Sequence, residues 1–132
     1  MSDDSEVLLA NEAFYSAFAR RDLAAMDALW ARHELACCIH PGWAALRQRD
    51  EIMASWRSIF SADDDADIRC TRVDARMHGA TATIICEEHL GGAQLTATNA
   101  FVLKQGQWRI WHHHAGPIAH RVREATAGSL LN

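Results

Sequence analysis

Nowhere does the 132-residue chain run to the roughly 18 consecutive apolar residues that a membrane-crossing helix needs. Basic charge is not in excess either. Lys+Arg 13 stand against Asp+Glu 17, a formal net charge of −4, so the footprint that neutralises a phosphate backbone is missing and no nucleic-acid partner is expected. The N-terminus, Met1-Ser-Asp-Asp-Ser-Glu6, lacks a basic n-region and does not read as a secretory signal. The 4 cysteines form no CxxC pair and are too few for a disulfide scaffold. Cys37, Cys38, Cys70 and Cys86 are expected to be reduced, small and mostly buried, which suits a cytoplasmic protein.

The length fits a single domain over residues 1–132, with a core at about 6–117 and a short tail at 118–132. Hydrophobic residues make up 49% of the chain, but 24 of them are alanine, so 5 tryptophans and 4 phenylalanines must supply much of the core. The 8 histidines are the unusual feature.

Apolar residues first recur at helical spacing. Val7, Asn11, Phe14 and Phe18 form one stripe, with Leu8 and Tyr15 beside it. Asp3 with Glu6 resembles a capping pair, and Asp22 is placed to cap a short second helix carrying Leu23, Met26, Leu29 and Trp30. Residues 34–39 read as a short strand, broken by His40-Pro41-Gly42-Trp43. A third helix starts near Asp50, with Ile52, Met53, Trp56, Ile59 and Phe60 on its apolar face. Residues 61–67 are an acidic loop. Beyond them the period drops to 2, and three turn signals (His78-Gly79, Gly91-Gly92, Gln105-Gly106) separate runs at 68–77, 80–90, 93–104 and 107–115. The order α-α-β-α-β-β-β-β predicts an α+β fold, a curved antiparallel sheet wrapped over three N-terminal helices.

Two-residue turns fix an expected register. Leu103 then opposes Trp108, Phe101 opposes Ile110, Asn99 opposes His112, and Ala97 opposes both His114 and Cys86. Leu95 opposes Glu88, Val73 opposes Ile84, and Thr71 opposes Cys86. This predicts an apolar, helix-covered face that also carries Arg69, Glu88, Asn99, His112 and His114; polar groups so placed need partners or line a pocket. The other face carries Ala100, Val102, Trp111 and His113, which suggests a partner sheet and hence a homodimer. A one-residue slip would exchange the two faces.

Three stretches carry a resemblance: Asn11 through Trp30; Cys38-Ile-His-Pro-Gly-Trp43 with Ser55-Trp56; and Ala97-Thr-Asn-Ala-Phe-Val102 with Trp108 through Pro117. With the element order they resemble the SnoaL-like branch of the nuclear transport factor 2-like superfamily. The resemblance implies a cone-shaped α+β barrel with a pocket at its mouth, and commonly a homodimer through the sheet. The superfamily hosts ketosteroid isomerases, polyketide cyclases, dehydratases and domains similar to the association domain of calcium/calmodulin-dependent kinase. Aligned on the isomerases, the oxyanion tyrosine falls on Phe14, and Tyr15 points about 100° away on the helix. The catalytic aspartate falls on His40. A standard ketosteroid isomerase is therefore not expected.

Two functional readings follow. In the first, an apolar or aromatic small molecule binds under the sheet. His40 and Glu88 are then the candidate acid–base residues, and Tyr15, Trp43, Trp56, Asn99, His112 and His114 line the pocket. In the second, the chain is a non-catalytic association module that pairs through Ala100, Trp111 and His113. Each residue also has a structural reading: His40 fixing its turn, Glu88 paired with Arg69, His112 and His114 as a hydrogen-bonded pair, Trp43 and Trp56 as core. A zinc site on His112-x-His114 lacks a defined third ligand, and a Cys38–His40 nucleophile pair lacks an orienting group, so neither metal nor cofactor is expected.

Overall fold

A computed structural model of the chain describes residues 3–32, 35–62 and 67–122. Part of the 34–39 run, most of the acidic loop and the tail beyond 122, with Arg123, lie outside the described residues, as does His33.

The elements follow the expected order: α1 (Ser5–Arg20), α2 (Leu23–Leu29), β1 (Cys37–Ile39), α3 (Arg49–Ser61), β2 (Ile68–His78), β3 (Thr81–Leu90), β4 (Ala93–Lys104) and β5 (Gln107–Pro117). The sheet order is β1-β5-β4-β3-β2. Strands β2 to β5 form an antiparallel meander, but β1 joins the β5 edge in parallel, so the sheet is mixed and does not close. The three helices cover one face. Val7, Phe14 and Ala17 of α1, Met26 of α2, and Ile52 and Trp56 of α3 meet Ile84, Cys86, Ala97, Phe101 and Ile110 of the sheet in one buried cluster.

The helix ends show how local chemistry sets the frame. Asp22 caps α2 as expected: its Oδ1 accepts from the Ala25 amide at 3.0 Å. The Asp3–Glu6 capping pair is not formed. Asp4 occupies the cap position without a side-chain bond, and Asp3 binds the Ser5 amide and hydroxyl instead. Arg49, at the start of α3, donates to Asp27 Oδ1 at 2.9 Å and to the Asp27 carbonyl at 2.6 Å, tying α3 to α2.

The register corrects two expectations. Gly91-Gly92 and Gln105-Gly106 close two-residue turns, pairing Leu90 with Ala93 and Lys104 with Gln107. Gln105 and Gly106 both have positive φ, 52° and 77°, the geometry that matches the twist of a tight hairpin. The first hairpin instead turns at Gly79-Ala80, so Ala75, not Val73, opposes Ile84. A shift between Thr71 and Asp74, with Arg72 at φ 54°, then brings Cys70 opposite Glu88. Val73 is 43% exposed, and Arg69 is exposed beside His89, out of reach of the expected pairing with Glu88.

The second correction concerns the histidines. Leu103 opposes Trp108 and Phe101 opposes Ile110, as expected, but Ala100 opposes His112 and Asn99 opposes His113. Trp111 is the extra residue of a bulge, and a bulge reverses the alternation beyond it. His113 therefore points to the helices, and His112 and His114 do not. The parallel contact with β1 pairs His113 with the fully buried Cys38. On the outer face His112 meets Trp111 and His114 edge to face, with ring centroids 5.8 Å and 6.5 Å away. Ala100 and Trp111 belong to that outer face as expected, but His113 does not.

Replacing Asp22 with Ala is expected to cost about 1 kcal/mol of stability through the lost cap. Urea unfolding should show a lower midpoint with an unchanged slope.

Candidate functional site

At the wide end of the sheet, a cavity of about 360 Å³ is walled by Phe18, Pro41, Trp43, Ile59, Phe60 and Leu90. Its polar lining consists of Arg21, His40, Glu88 and His113. A larger cleft of about 650 Å³ lies at the other end, between α2 and the β4–β5 hairpin. Its ionisable lining residues, Arg32, Lys104 and Arg109, are not among the buried polar groups, so the wide-end cavity is where chemistry is concentrated.

Behind that cavity runs a chain of buried polar side chains centred on Asn99, which is 0% exposed. Its amide nitrogen donates to Asn11 Oδ1 at 2.9 Å and to the Tyr15 hydroxyl at 3.1 Å. Both of its protons are then committed, so Asn99 Oδ1 must accept from His113 Nδ1, at 2.6 Å. The Tyr15 hydroxyl in turn donates a hydrogen bond to Glu88 Oε2, at 2.7 Å. These bonds fix the His113 tautomer: Nδ1 carries the proton, and Nε2 keeps its lone pair. That nitrogen lies 3.9 Å from Glu88 Oε2, too far for a direct hydrogen bond.

Burial sets the protonation of this pair. It pushes Glu88 up from the usual carboxylate range against the opposing bond from Tyr15. It also pulls His113 down to about 3, with smaller contributions from His40, His112 and His114. Burial thus disfavours the charged form of each residue, and it leaves His113 a free imidazole at neutral pH.

His40 is buried by the Trp43 and Trp56 rings, with centroids at 4.9 and 4.8 Å. Ser55 Oγ donates to the Ile52 carbonyl at 2.6 Å and therefore accepts from His40 Nε2 at 2.9 Å. Burial lowers His40 to about 4. Cys38 Sγ lies 3.6 Å from His40 Nε2, but burial pushes its thiol far up, so it holds its proton and is no activated nucleophile.

Of the residues singled out in the sequence, His40, Glu88 and Trp43 line the cavity together. Tyr15 and Asn99 stand one layer behind, and Trp56 packs against His40 and His113 as part of the core. His112 and His114 lie on the other side of the sheet, so a metal set combining them with Glu88 or His40 does not converge. His113, Arg21, Asn11 and Ser55 were not foreseen. Asn11 left a signal, as the polar member of an otherwise apolar stripe. His113 left none: the irregularity between Ile110 and Ala115 shows only once both are seen to be buried.

Residues 7–120 match the family model described as a SnoaL-like domain. Among solved structures, the chain is 34% identical to a proposed calcium/calmodulin-dependent protein kinase type II association domain from Thiobacillus denitrificans, with a TM-score of 0.77 over 83% of this chain and 92% of that one. It is 30% identical to a proposed dehydratase of the nuclear transport factor 2-like family from Streptomyces avermitilis, with a TM-score of 0.80 over 88% and 96% of the two chains. F-box protein SKIP8 of Arabidopsis thaliana is 26% identical over 111 residues, 83% of this chain. The chain spans about half of that relative's length, 48%.

The buried titratable groups set opposite pH slopes. The two depressed histidines contribute stability that is complete above their unfolded value of 6.5 and is lost as pH falls toward about 4 for His40 and about 3 for His113. Glu88, whose folded value is raised, contributes stability below its unfolded value of 4.5 and loses it as pH rises. Two groups against one give a melting temperature expected to rise between pH 4 and 6.5. Glu88→Gln, which keeps an acceptor for Tyr15, should raise the melting temperature at pH 7, where the carboxylate is disfavoured by burial. Melting curves across that range test both; a flat profile refutes the assignment.

Proposed function

The chain belongs to the SnoaL-like domain family, and on that premise we propose that its cavity binds a small apolar or aromatic molecule and moves a proton within it. The reaction class is that of a cofactor-independent isomerase, cyclase or dehydratase. The observation that carries this reading is the placing of Glu88 Oε2 and His113 Nε2 3.9 Å apart on the wall of an aromatic-lined cavity, where burial pushes the carboxyl up and the imidazole down. Such opposed environments separate an acid from a base at one pH. His113 Nε2 removes a proton from a carbon next to a carbonyl, and Glu88 delivers its proton to the oxygen that gains charge. Both act from one wall, so the transfers are syn. In an isomerisation the imidazolium returns its proton to another carbon; in a dehydration Glu88 protonates the departing hydroxyl. His40 shapes the wall with Trp43, and its remaining lone pair, on Nδ1, is the alternative base. The relative from Streptomyces avermitilis, a proposed dehydratase, supports the reaction class.

A second reading concerns assembly, and the two are compatible. The outer face presents Ile85, 37% exposed, with Ala100, Val102 and Trp111. We infer that this face pairs with a second copy, in line with the association-domain relative. The free thiols at Cys37, Cys38, Cys70 and Cys86 suit a reducing, cytoplasmic compartment. Among the described residues no helix is long and apolar enough to cross a membrane.

The catalytic reading is tested by deuterium exchange of an aryl ketone such as 2-tetralone in D2O, followed by NMR. Wild-type protein is expected to accelerate exchange, and His113→Ala or Glu88→Gln to lose about 100-fold. Exchange at the background rate with wild-type protein would sink it. Trp111→Glu is expected to shift the sedimentation mass from dimer to monomer without changing exchange; a wild-type monomer at micromolar concentration refutes the pairing.

A further inference from the structure

We propose that Arg21 makes the rim of this cavity a carboxylate-reading site, so that the ligand is a small aryl or alkyl monocarboxylate held with its anionic end outward and its apolar body inward. The inference rests on the pocket reading above and adds the ligand's charge and orientation.

Three observations carry it. First, Arg21 is the one Lys or Arg among the lining residues; it and Phe18, Trp43, Ile59 and Phe60 are partly exposed, whereas Glu88, His40 and His113 are buried. A carboxylate at the floor would meet Glu88 and lack a cationic partner; at the rim it meets a guanidinium whose planar fork suits it. Second, Arg21 forms no ion pair among the described residues. Neighbouring Arg20 is tied to Asp22 at 3.1 Å, whereas Arg21 spends one nitrogen on the Ala62 carbonyl at 2.9 Å. That bond ties the end of α3 to the end of α1 and leaves the other guanidinium N–H groups available. Third, Arg21 stands at the C-cap of α1 with φ 56°, a left-handed conformation that favours glycine. That conformation ends the helix, with the Arg21 and Asp22 amides donating back to Phe18 and Ala17, and it sets where the guanidinium leaves α1 at the cavity.

The wider field sharpens the argument. The whole chain carries a formal charge of −4, so an anion has no general reason to approach it. Recognition must be local. The cavity's size lies within the range of small-ligand sites, and its aromatic wall would bury a ring.

The test uses trans-cinnamate and its uncharged amide, cinnamamide, titrated against the full chain and read by quenching of tryptophan emission, since Trp43 lines the mouth. Cinnamate is expected to bind wild-type protein at least tenfold more tightly than cinnamamide. Arg21→Gln keeps a donor for Ala62 and removes the charge; it should weaken cinnamate at least tenfold, and cinnamamide far less, so that the preference is lost. Arg21→Lys should keep part of the preference and guards against a folding defect in the first variant, with melting curves recorded for both. Equal binding of the two probes to wild-type protein, or a preference that survives Arg21→Gln, overturns the carboxylate inference and leaves the pocket standing. Binding of neither probe at millimolar concentration overturns the pocket reading with it.

Discussion

The amide of Asn99 is the interaction on which the site depends. It is fully buried, in the middle of the β4 strand, and its three bonds reach two elements of the helical layer and sheet: α1 through Asn11 and Tyr15, and β5 through His113. An unsatisfied amide in that position would cost on the order of 1–3 kcal/mol per lost partner, so the three partners are held together by a shared penalty. The direction of each bond then follows. The amide nitrogen has two protons and spends both, the oxygen must accept, and His113 must place its proton on Nδ1. The free lone pair on Nε2 is thus a consequence of hydrogen-bond arithmetic across three elements.

This arithmetic also explains why a buried carboxyl can persist near a histidine without closing into an ion pair. Glu88 accepts a hydrogen bond from the Tyr15 hydroxyl at 2.7 Å, which satisfies one oxygen, and the gap of 3.9 Å to His113 keeps the two groups from sharing a proton. Each is left to the effect of burial, which drives an acid and a base in opposite directions. Phe18 and Phe60 line the same cavity as both groups. Phe14 and Trp56 also stack against the His113 ring, at 5.0 and 6.0 Å, and so keep it in place.

The departure from ketosteroid isomerase is consistent with this picture. Phe14 occupies the position that alignment gives to the oxyanion tyrosine, and it packs in the core. Tyr15, one position on, turns instead toward β3 and binds Glu88. The polar side chain here is Tyr15, and its hydroxyl joins Glu88 to the network of Asn11 and Asn99.

Much of the fold was legible in the chain. The periods of 3.6 and 2, the Asp22 cap and the Gly91-Gly92 and Gln105-Gly106 turns determined the element order and two of the three hairpin registers, because those signals act between residues close in sequence. Glu88, His40, Trp43 and Tyr15 were recognisable as polar or aromatic groups facing an apolar layer. Tertiary structure alone decided which of three consecutive histidines enters the core. A bulge at Trp111 changes strand parity, and its position depends on β5 pairing with β4 and β1 at once. The same holds for the Arg72–Val73 irregularity, which brings Cys70 opposite Glu88 in place of a residue that two-residue turn geometry would choose. Alternation along a strand is a local property, whereas a bulge is the price of fitting several neighbours together, and that fit is absent from any single stretch of sequence.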